Sequence, residues 1–285
     1  MQIKEKLHEV NCIYLNAAET GNPQGKIIIF LHGFPEHWYA WHQQLPYFAD
    51  KGFRAIAPDQ RGYNRSSKPG GVKAYTLPHL TADIAQFIQQ QTHEKVVLVG
   101  HDWGAAVAWS VAAHYPQLLE KLVILNMPHP LVFHKHLRKN PKQVFKSMYA
   151  AFFQLPFLPE ISNRAFNFKL LKTTMLKSAL PHTFSKEDFV QYKEAWRKPK
   201  ALRSMLNWYR AYKYQPYNSQ EQIKVPTLLI WGKKDSFLNA AMAEPSKAMC
   251  RHAELVFLPN ATHWLHHEYP HQINNLIYKF IQQPD

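Results

Sequence analysis

The six residues from Gly100 to Ala105, Gly-His-Asp-Trp-Gly-Ala, place an acidic side chain between two glycines directly after an apolar run. The run, residues 95–99, is rich in β-branched side chains and predicts a buried parallel strand, while the alanine-rich residues 105–109 predict a helix. A Gly-x-Asp-x-Gly at such a strand-to-helix junction has the form of a nucleophile elbow. Its middle residue, Asp102, would be held in a strained conformation that projects the side chain outward.

An aspartate at the middle of an elbow predicts a particular reaction. Most elbows carry a serine, whereas a carboxylate attacks carbon directly and forms an alkyl ester. We therefore expect the substrate of Asp102 to present an electrophilic sp³ carbon rather than an acyl group. The alternative is a degenerate serine site, which the complete set of partner residues described next disfavours.

Two further residues have the types and positions that a carboxylate nucleophile requires. It needs a base that activates water for the second step, and that base needs a carboxylate to orient it. In elbow-containing folds the acid follows the nucleophile and the histidine comes last. Asp235 and His263 each follow an apolar run, so Asp102, Asp235 and His263 have the expected order, each at the carboxyl end of a predicted strand. His266 and His267 are the nearest alternative bases.

The elements around these residues alternate between strand and helix. Apolar runs predict strands at 26–31, 53–57, 95–99, 121–125, 226–231 and 254–258. Amphipathic stretches predict helices near 41–50, 78–91, 103–115 and 270–282, and the first two dozen residues suggest an antiparallel hairpin. This alternation predicts an α/β fold, a mainly parallel sheet with helices on both faces.

Between about residues 131 and 217 the strand pattern gives way to helical stretches that contain Pro, Lys and aromatic residues. We interpret this segment as a helical cap inserted between two strands of one sheet. Such a cap would cover the carboxyl ends of the strands, where the binding crevice of this architecture lies. The predicted organisation is a core in two parts, 1–130 and 218–285, with a cap at 131–217.

Composition indicates a globular protein of 285 residues, long enough to bury a full core. The first ten residues lack a signal-peptide core, and no apolar run reaches the about 18 residues of a membrane span. Cys12 and Cys250 have no metal or redox spacing, which predicts two buried apolar residues in a reducing compartment. We therefore expect a cytoplasmic protein without a membrane segment. The oligomeric state stays unknown.

The formal net charge of +14 is concentrated in one segment. Residues 131–220 contain 17 Lys and Arg against 4 Asp and Glu, whereas the rest of the chain has 17 basic and 16 acidic residues. A nucleic-acid binder with uniform positive charge would not have this distribution, so no nucleic-acid partner is expected.

Five motifs give the chain a specific resemblance. They are His-Gly-Phe-Pro-Glu at 32–36, Asp-Gln-Arg-Gly-Tyr at 59–63, Gly-His-Asp-Trp-Gly at 100–104, Asn-Trp-Tyr-Arg at 207–210 and His-Trp at 263–264. From about residue 25 to its end, the chain resembles the soluble epoxide hydrolases of the α/β-hydrolase superfamily. That resemblance implies hydrolysis of a small-molecule epoxide by water, with no cofactor and no metal.

The resemblance also implies roles for individual residues. Asp102 would be the nucleophile, His263 the general base and Asp235 the partner of that base. The backbone N–H groups of Phe34 and Trp103 would form the oxyanion hole for hydrolysis of the ester. The expected lining of the substrate pocket is Phe34, Trp103, Phe152 and Trp208.

Members of that family use two cap tyrosines that hydrogen-bond the epoxide oxygen, and their motifs match Tyr149 and Tyr209. A phenol is a suitable donor because ring opening generates a strongly basic alkoxide. The alternative for Tyr149 is membership of an aromatic core with Phe152 and Phe153. The alternatives to Tyr209 are Tyr212, Tyr214 and Tyr217.

Other polar residues of the motifs have a simpler interpretation. We expect His32 and His101 to support the loops, and Asp59 and Arg61 to form a structural turn with an ion pair.

Three rival functions share parts of this pattern. Haloalkane dehalogenases have the same nucleophile and following Trp, but they stabilise halide with a second side-chain N–H, often at the position of Phe34. Fluoroacetate dehalogenases have an Arg where this chain has Trp103. A non-catalytic binder of anionic surfaces would use the basic segment, but an intact triad disfavours loss of catalysis.

Overall fold

The computed structural model describes residues 2–139, 143, 146–214 and 222–284, and in them eight strands form one sheet. The strands are β1 Lys4–Val10, β2 Ile13–Gly21, β3 Ile27–Leu31, β4 Arg54–Pro58, β5 Val96–His101, β6 Leu119–Leu125, β7 Thr227–Gly232 and β8 Ala253–Leu258. Their spatial order is β1-β2-β4-β3-β5-β6-β7-β8. Pairing is antiparallel for β1–β2 and β2–β4 and parallel elsewhere. The predicted fold class is therefore confirmed, and the six predicted strands lie within two residues of the observed ones.

Helices pack on both faces of this sheet and alternate with its strands along the chain. Those of the described residues are α1 Gln44–Asp50, α2 Leu77–Gln91, α3 Trp103–His114, α4 Pro130–Lys139, α5 Met148–Phe152, α6 Leu158–Ser178, α7 Lys186–Arg197, α8 Ala201–Ala211, α9 Ala243–Lys247, α10 Leu265–Glu268 and α11 Pro270–Gln282. The backbone of α6 is not helical at residues 165–168.

Alternate side chains of β3 face the two helical layers. Ile28 and Phe30 belong to the core that α1 and α11 cover, whereas Ile29 and Leu31 belong to the core under α2 and α3. Every residue of β3, β5 and β7 is buried. Burial of an apolar side chain of this size contributes about 1.5–3 kcal/mol, so these central strands anchor the edge that carries the site.

Helices α4 to α8 lie between β6 and β7 in the chain, where the described residues contain no strand. Buried hydrogen bonds attach them to the loops that follow β3 and β4. Trp208 Nε1 donates to the Arg61 carbonyl at 2.9 Å, and Trp196 Nε1 donates to the Pro35 carbonyl at 2.6 Å. The segment boundaries 131–217 stay a prediction, and residues 215–217 lie outside the described residues.

One prediction about the cysteines is wrong. Cys250 is buried, but Cys12 is exposed. Asn11 and Cys12 form the turn between β1 and β2, both with positive φ. A two-residue hairpin turn of this kind lies at the surface, which the apolar character of a thiol does not reveal. No described helix is long and apolar enough to cross a membrane.

Candidate active site

Asp102 lies at the strand-to-helix junction between β5 and α3 with φ 50° and ψ −125°. A Cβ on Gly33 would lie 2.4 Å from the Asp102 Cβ, and a Cβ on Gly104 would lie 2.3 Å from the Leu31 carbonyl oxygen. Both positions therefore exclude any side chain. The strained conformation is held by close backbone packing and directs the carboxylate into the space above the sheet.

Asp102, Asp235 and His263 meet at the carboxyl edge of the sheet. His263 Nδ1 is 2.8 Å from Asp235 Oδ2, and His263 Nε2 is 3.6 Å from Asp102 Oδ2. The other oxygen of Asp235 accepts the backbone N–H groups of Phe237 at 2.7 Å and Leu238 at 2.9 Å. These bonds fix the Asp235 carboxylate, which in turn orients the imidazole so that Nε2 faces Asp102.

The electrostatics of this group change the acidity of His263. Burial alone would lower the pKa of the imidazole, but the charge and hydrogen bond of Asp235 and the charge of Asp102 raise it to about 9. His263 is therefore protonated at neutral pH in the free protein.

The backbone N–H of Phe34 donates to Asp102 Oδ1 at 2.9 Å. Trp103 is the first residue of α3, so its N–H is among the first-turn donors that have no partner within the helix. An oxyanion that forms on Asp102 would meet both donors.

Tyr149 on α5 and Tyr209 on α8 face Asp102 from the cap side. Their rings meet edge to face with centroids 5.9 Å apart, and the Tyr209 ring also contacts Trp103 at 5.1 Å and Phe34 at 5.2 Å. Burial raises the pKa of both phenols, and the charge of Asp102 raises it further. Both therefore stay protonated and can donate a hydrogen bond.

Two apolar lobes adjoin Asp102, Tyr149 and Tyr209, which line both of them. The smaller lobe has a volume of about 240 Å³ and the larger one of about 400 Å³. Of the predicted pocket residues, Phe34 and Phe152 line the smaller lobe, while Trp103 and Trp208 line the larger one. A ligand that reaches Asp102 can extend in two directions.

The three alternatives to Tyr209 differ in where they lie. Tyr212 lines the larger lobe, Tyr214 is 50% exposed at a surface depression, and Tyr217 lies outside the described residues. The alternative bases, His266 and His267, surround Glu36 instead of Asp102.

One predicted ion pair is wrong. Arg61 does not pair with Asp59 but with Asp83 of α2, through Nε at 2.6 Å and Nη2 at 2.7 Å. Asp59 instead accepts the Trp38 N–H and the amides of Asn16 and Asn64. These neutral donors satisfy its carboxylate, and burial raises the pKa of that carboxyl to about 6.

His32 contacts the Gly33 carbonyl and the Gln60 N–H. These contacts agree with the prediction that His32 supports the loops.

Glu36 lies at the centre of a buried cluster of titratable side chains that the sequence analysis did not predict. Its Oε1 accepts the Tyr192 hydroxyl and contacts His267 Nε2, both at 2.7 Å, and Oε2 lies 3.6 Å from His101 and 3.7 Å from His266. Burial would raise the pKa of Glu36, but His267 and the other two imidazoles lower it well below its usual value. Glu36, His266 and His267 bring ligand atoms within 4.8 Å of one another. This spacing suits a metal, but hydrogen bonds already occupy Oε1.

Comparison with known proteins first defines the class. A family model described as the alpha/beta hydrolase fold matches residues 26–270. The chain is 42% identical to the AB hydrolase superfamily protein YfhM of Bacillus subtilis, over 98% of both chains.

Several relatives of this chain are named epoxide hydrolases. Epoxide hydrolase 4 of Mus musculus is 35% identical over 95% of this chain and 76% of its own. The crystal structure of a Bacillus megaterium epoxide hydrolase in complex with an inhibitor superposes with a TM-score of 0.88 at 29% identity, over 98% of this chain and 100% of that one. The chain belongs to the epoxide hydrolase family of the α/β-hydrolase superfamily.

Proposed function

We propose that this protein hydrolyses epoxides to vicinal diols through a covalent ester of Asp102. The observation that carries the proposal is the meeting of two protonated phenols and a carboxylate nucleophile at the junction of two apolar lobes. An epoxide placed there has its carbon next to Asp102 and its oxygen next to Tyr149 and Tyr209.

In the first step an Asp102 oxygen attacks an epoxide carbon, and the carbon–oxygen bond of the ring breaks. The phenols of Tyr149 and Tyr209 hydrogen-bond the leaving oxygen, and one of them transfers a proton to it. This proton transfer prevents the formation of a free alkoxide. Preventing it is the main contribution expected of a positioned acid.

In the second step water attacks the carbonyl carbon of the ester. His263 accepts a proton from the water, and the oxyanion that forms on Asp102 accepts the N–H groups of Phe34 and Trp103. The bond between the Asp102 carbonyl carbon and the alkoxy oxygen then breaks, and that oxygen takes the proton held by His263, which releases the diol. The carboxylic acid left on Asp102 returns a proton to His263.

Formation of the ester prepares His263 for its role. The negative charge of Asp102 is one of the causes that raise the pKa of His263 to about 9. Esterification removes that charge, so the pKa of His263 falls in the intermediate. His263 then gives its proton to the tyrosinate left by the first step, which restores the phenol and makes the imidazole a base when the water must be activated.

Haloalkane dehalogenation is the rival that the same triad could serve. A halide would need a second side-chain donor, and the Phe34 side chain at the corresponding position has none. The two phenols suit an oxygen leaving group that must be protonated.

The test is to separate the two steps. In His263→Gln the ester should form but not hydrolyse, so intact-mass spectrometry should show the protein plus one substrate mass. His271→Gln, at an exposed histidine, is the matched control and should turn over normally. Absence of an adduct, together with no transfer of oxygen-18 from water into Asp102 of the unaltered protein, would contradict the assignment. Halide release from 1-chlorobutane would favour the dehalogenase.

A further inference from the structure

Large apolar side chains are exposed along one stretch of the cap, from Met148 to Leu176. The most exposed are Phe166 at 88%, Phe157 at 66%, Ile161 at 64%, Met148 at 59% and Leu158 at 57%. Single exposed apolar residues are common, but a concentration of them within one stretch indicates an interaction surface.

Positive charge surrounds part of this stretch. A shallow surface depression beside Ile161 is lined by five cations: Arg164, Arg197, Lys198, Lys200 and Arg203. Its one acidic residue, Glu160, is already paired with Arg210 at 2.6 Å and 3.0 Å. All five cations are exposed. Arg203 also acts on Glu160 through its charge, but the depression keeps a surplus of positive charge.

The apolar and basic residues form one continuous surface. A second depression is lined by Phe157, Ile161, Arg203 and Lys213, so it shares Ile161 and Arg203 with the first. On the far side, Arg197 Nη2 donates to the Asn167 side chain at 2.7 Å, next to Phe166. We call the surface from Phe157 to Phe166, together with the five cations, the cap face.

The smaller lobe of the active site opens in the same stretch of chain. Phe152 and Leu170 line that lobe and are also 36% and 45% exposed. A lipophilic molecule held at Phe152 and Leu170 would therefore have an apolar route to Asp102 through that lobe.

The positive charge of the cap face indicates which kind of partner it binds. A second copy of the chain would bring like charges together, which disfavours a symmetric dimer through this surface. Anionic lipid headgroups complement the cations, while the acyl region accepts exposed Phe, Ile and Leu side chains. We propose that the cap face binds the surface of an anionic lipid bilayer and takes up lipophilic epoxides from it.

The direct test is sedimentation with vesicles of phosphatidylcholine alone and of phosphatidylcholine with phosphatidylglycerol. Binding is expected only with the anionic vesicles, and it should fall as salt rises from 0.1 M to 1 M. Each cation near an anionic surface contributes about 5-fold in affinity, so R164Q/K198Q/K200Q should bind about 100-fold more weakly. The matched control, K4Q/K6Q/K224Q, removes three exposed lysines elsewhere and should bind normally.

A second pair of variants tests the apolar contribution. I161S/F166S should bind anionic vesicles at least about 10-fold more weakly, because two apolar side chains no longer enter the bilayer. L7S/Y14S, which alters two exposed residues of the β1–β2 hairpin, is the control. All variants should unfold in urea at the same midpoint as the unaltered protein, which shows that they fold.

Several results would overturn the proposal. One is failure to bind anionic vesicles at low salt, and another is equal binding by the cap-face variants and their controls. Binding to soluble polyglutamate as tight as to vesicles, unaffected by I161S/F166S, would indicate an acidic protein partner. Dimerisation lost only in I161S/F166S would indicate a second copy. The vesicle assay requires no turnover, so its outcome is independent of the proposed hydrolysis, on which only the uptake of epoxides rests.

Discussion

At the scale of single residues, the site couples the charge of Asp102 to three titratable groups. The Asp102 carboxylate raises the pKa of His263 and adds to the effect of burial on the phenols of Tyr149 and Tyr209. All three groups are therefore protonated while the nucleophile is charged, and all three respond when ester formation neutralises it.

The two phenols should be partly redundant. Tyr149→Phe and Tyr209→Phe should each slow ester formation by about 10- to 100-fold, since the remaining phenol still donates to the epoxide oxygen. The double variant should lose more than either, in the range of about 10²–10⁴ for a positioned acid. Single-turnover measurement of ester formation checks this, with Tyr214→Phe at the exposed tyrosine as control. Formation at the normal rate in the double variant would make both tyrosines ordinary core aromatics.

The acidity of His263 predicts the pH dependence of the second step. Hydrolysis requires neutral His263, so its rate should rise with pH through the pKa of His263 in the ester and then level off. Because the ester lacks the Asp102 charge, that midpoint should lie below the value of about 9 for the free protein. Decay of the ester after rapid mixing at pH 5 to 10 measures it. A midpoint at or above 9 would contradict the role given to Asp102.

At the scale of elements, the cap helices position the phenols through a few buried polar contacts. Arg210 of α8 donates to the carbonyls of Phe153 and Leu155 and pairs with Glu160 through two nitrogens. It thereby fixes the segment that follows α5 against α8, which determines how Tyr149 and Tyr209 face each other.

Replacing this arginine should affect both stability and catalysis. Arg210→Met would leave Glu160 and two carbonyls without their partner, at a cost of about 2–4 kcal/mol in the free energy of unfolding. Ester formation should slow as well, because Tyr149 is no longer fixed. Arg203→Met on the same helix lies at the surface and is the control. Urea unfolding measures the effect on stability, and single-turnover kinetics measure the rate of ester formation. An unchanged rate of ester formation would show that Arg210 does not position the phenols.

The sequence predicted the elements and site residues that short stretches of the chain are enough to identify. Apolar runs of the right length located the strands, and the positions of Asp102, Asp235 and His263 after three such runs predicted that they meet. The Glu36 group could not be predicted in this way, because His266 and His267 reach it only when the loops after β3 and β8 adjoin. Nor could the pairing of Arg61 with Asp83, which depends on how α2 packs on the sheet. The two lobes depend on cap packing, which has no local signal.

At the scale of the whole molecule, positive charge is segregated on the cap while the remainder is nearly neutral. In the described part of this basic segment the chain forms the helices α4 to α8, two of which carry Tyr149 and Tyr209. An asymmetric charge of this kind attracts anions over distances of about a Debye length, about 10 Å at 0.1 M salt.

This asymmetry should discriminate between dissolved substrates by their charge. A neutral epoxide has no net charge to be attracted, so its kcat/KM should change little between low and high salt. An epoxide that carries a carboxylate should lose efficiency as salt rises, because the basic cap increases its local concentration only at low ionic strength. The R164Q/K198Q/K200Q variant should flatten this salt response, whereas K4Q/K6Q/K224Q should preserve it. A salt series with both substrates measures the difference. A strong salt effect on the neutral epoxide would contradict attraction by charge and indicate instead that salt alters the cap.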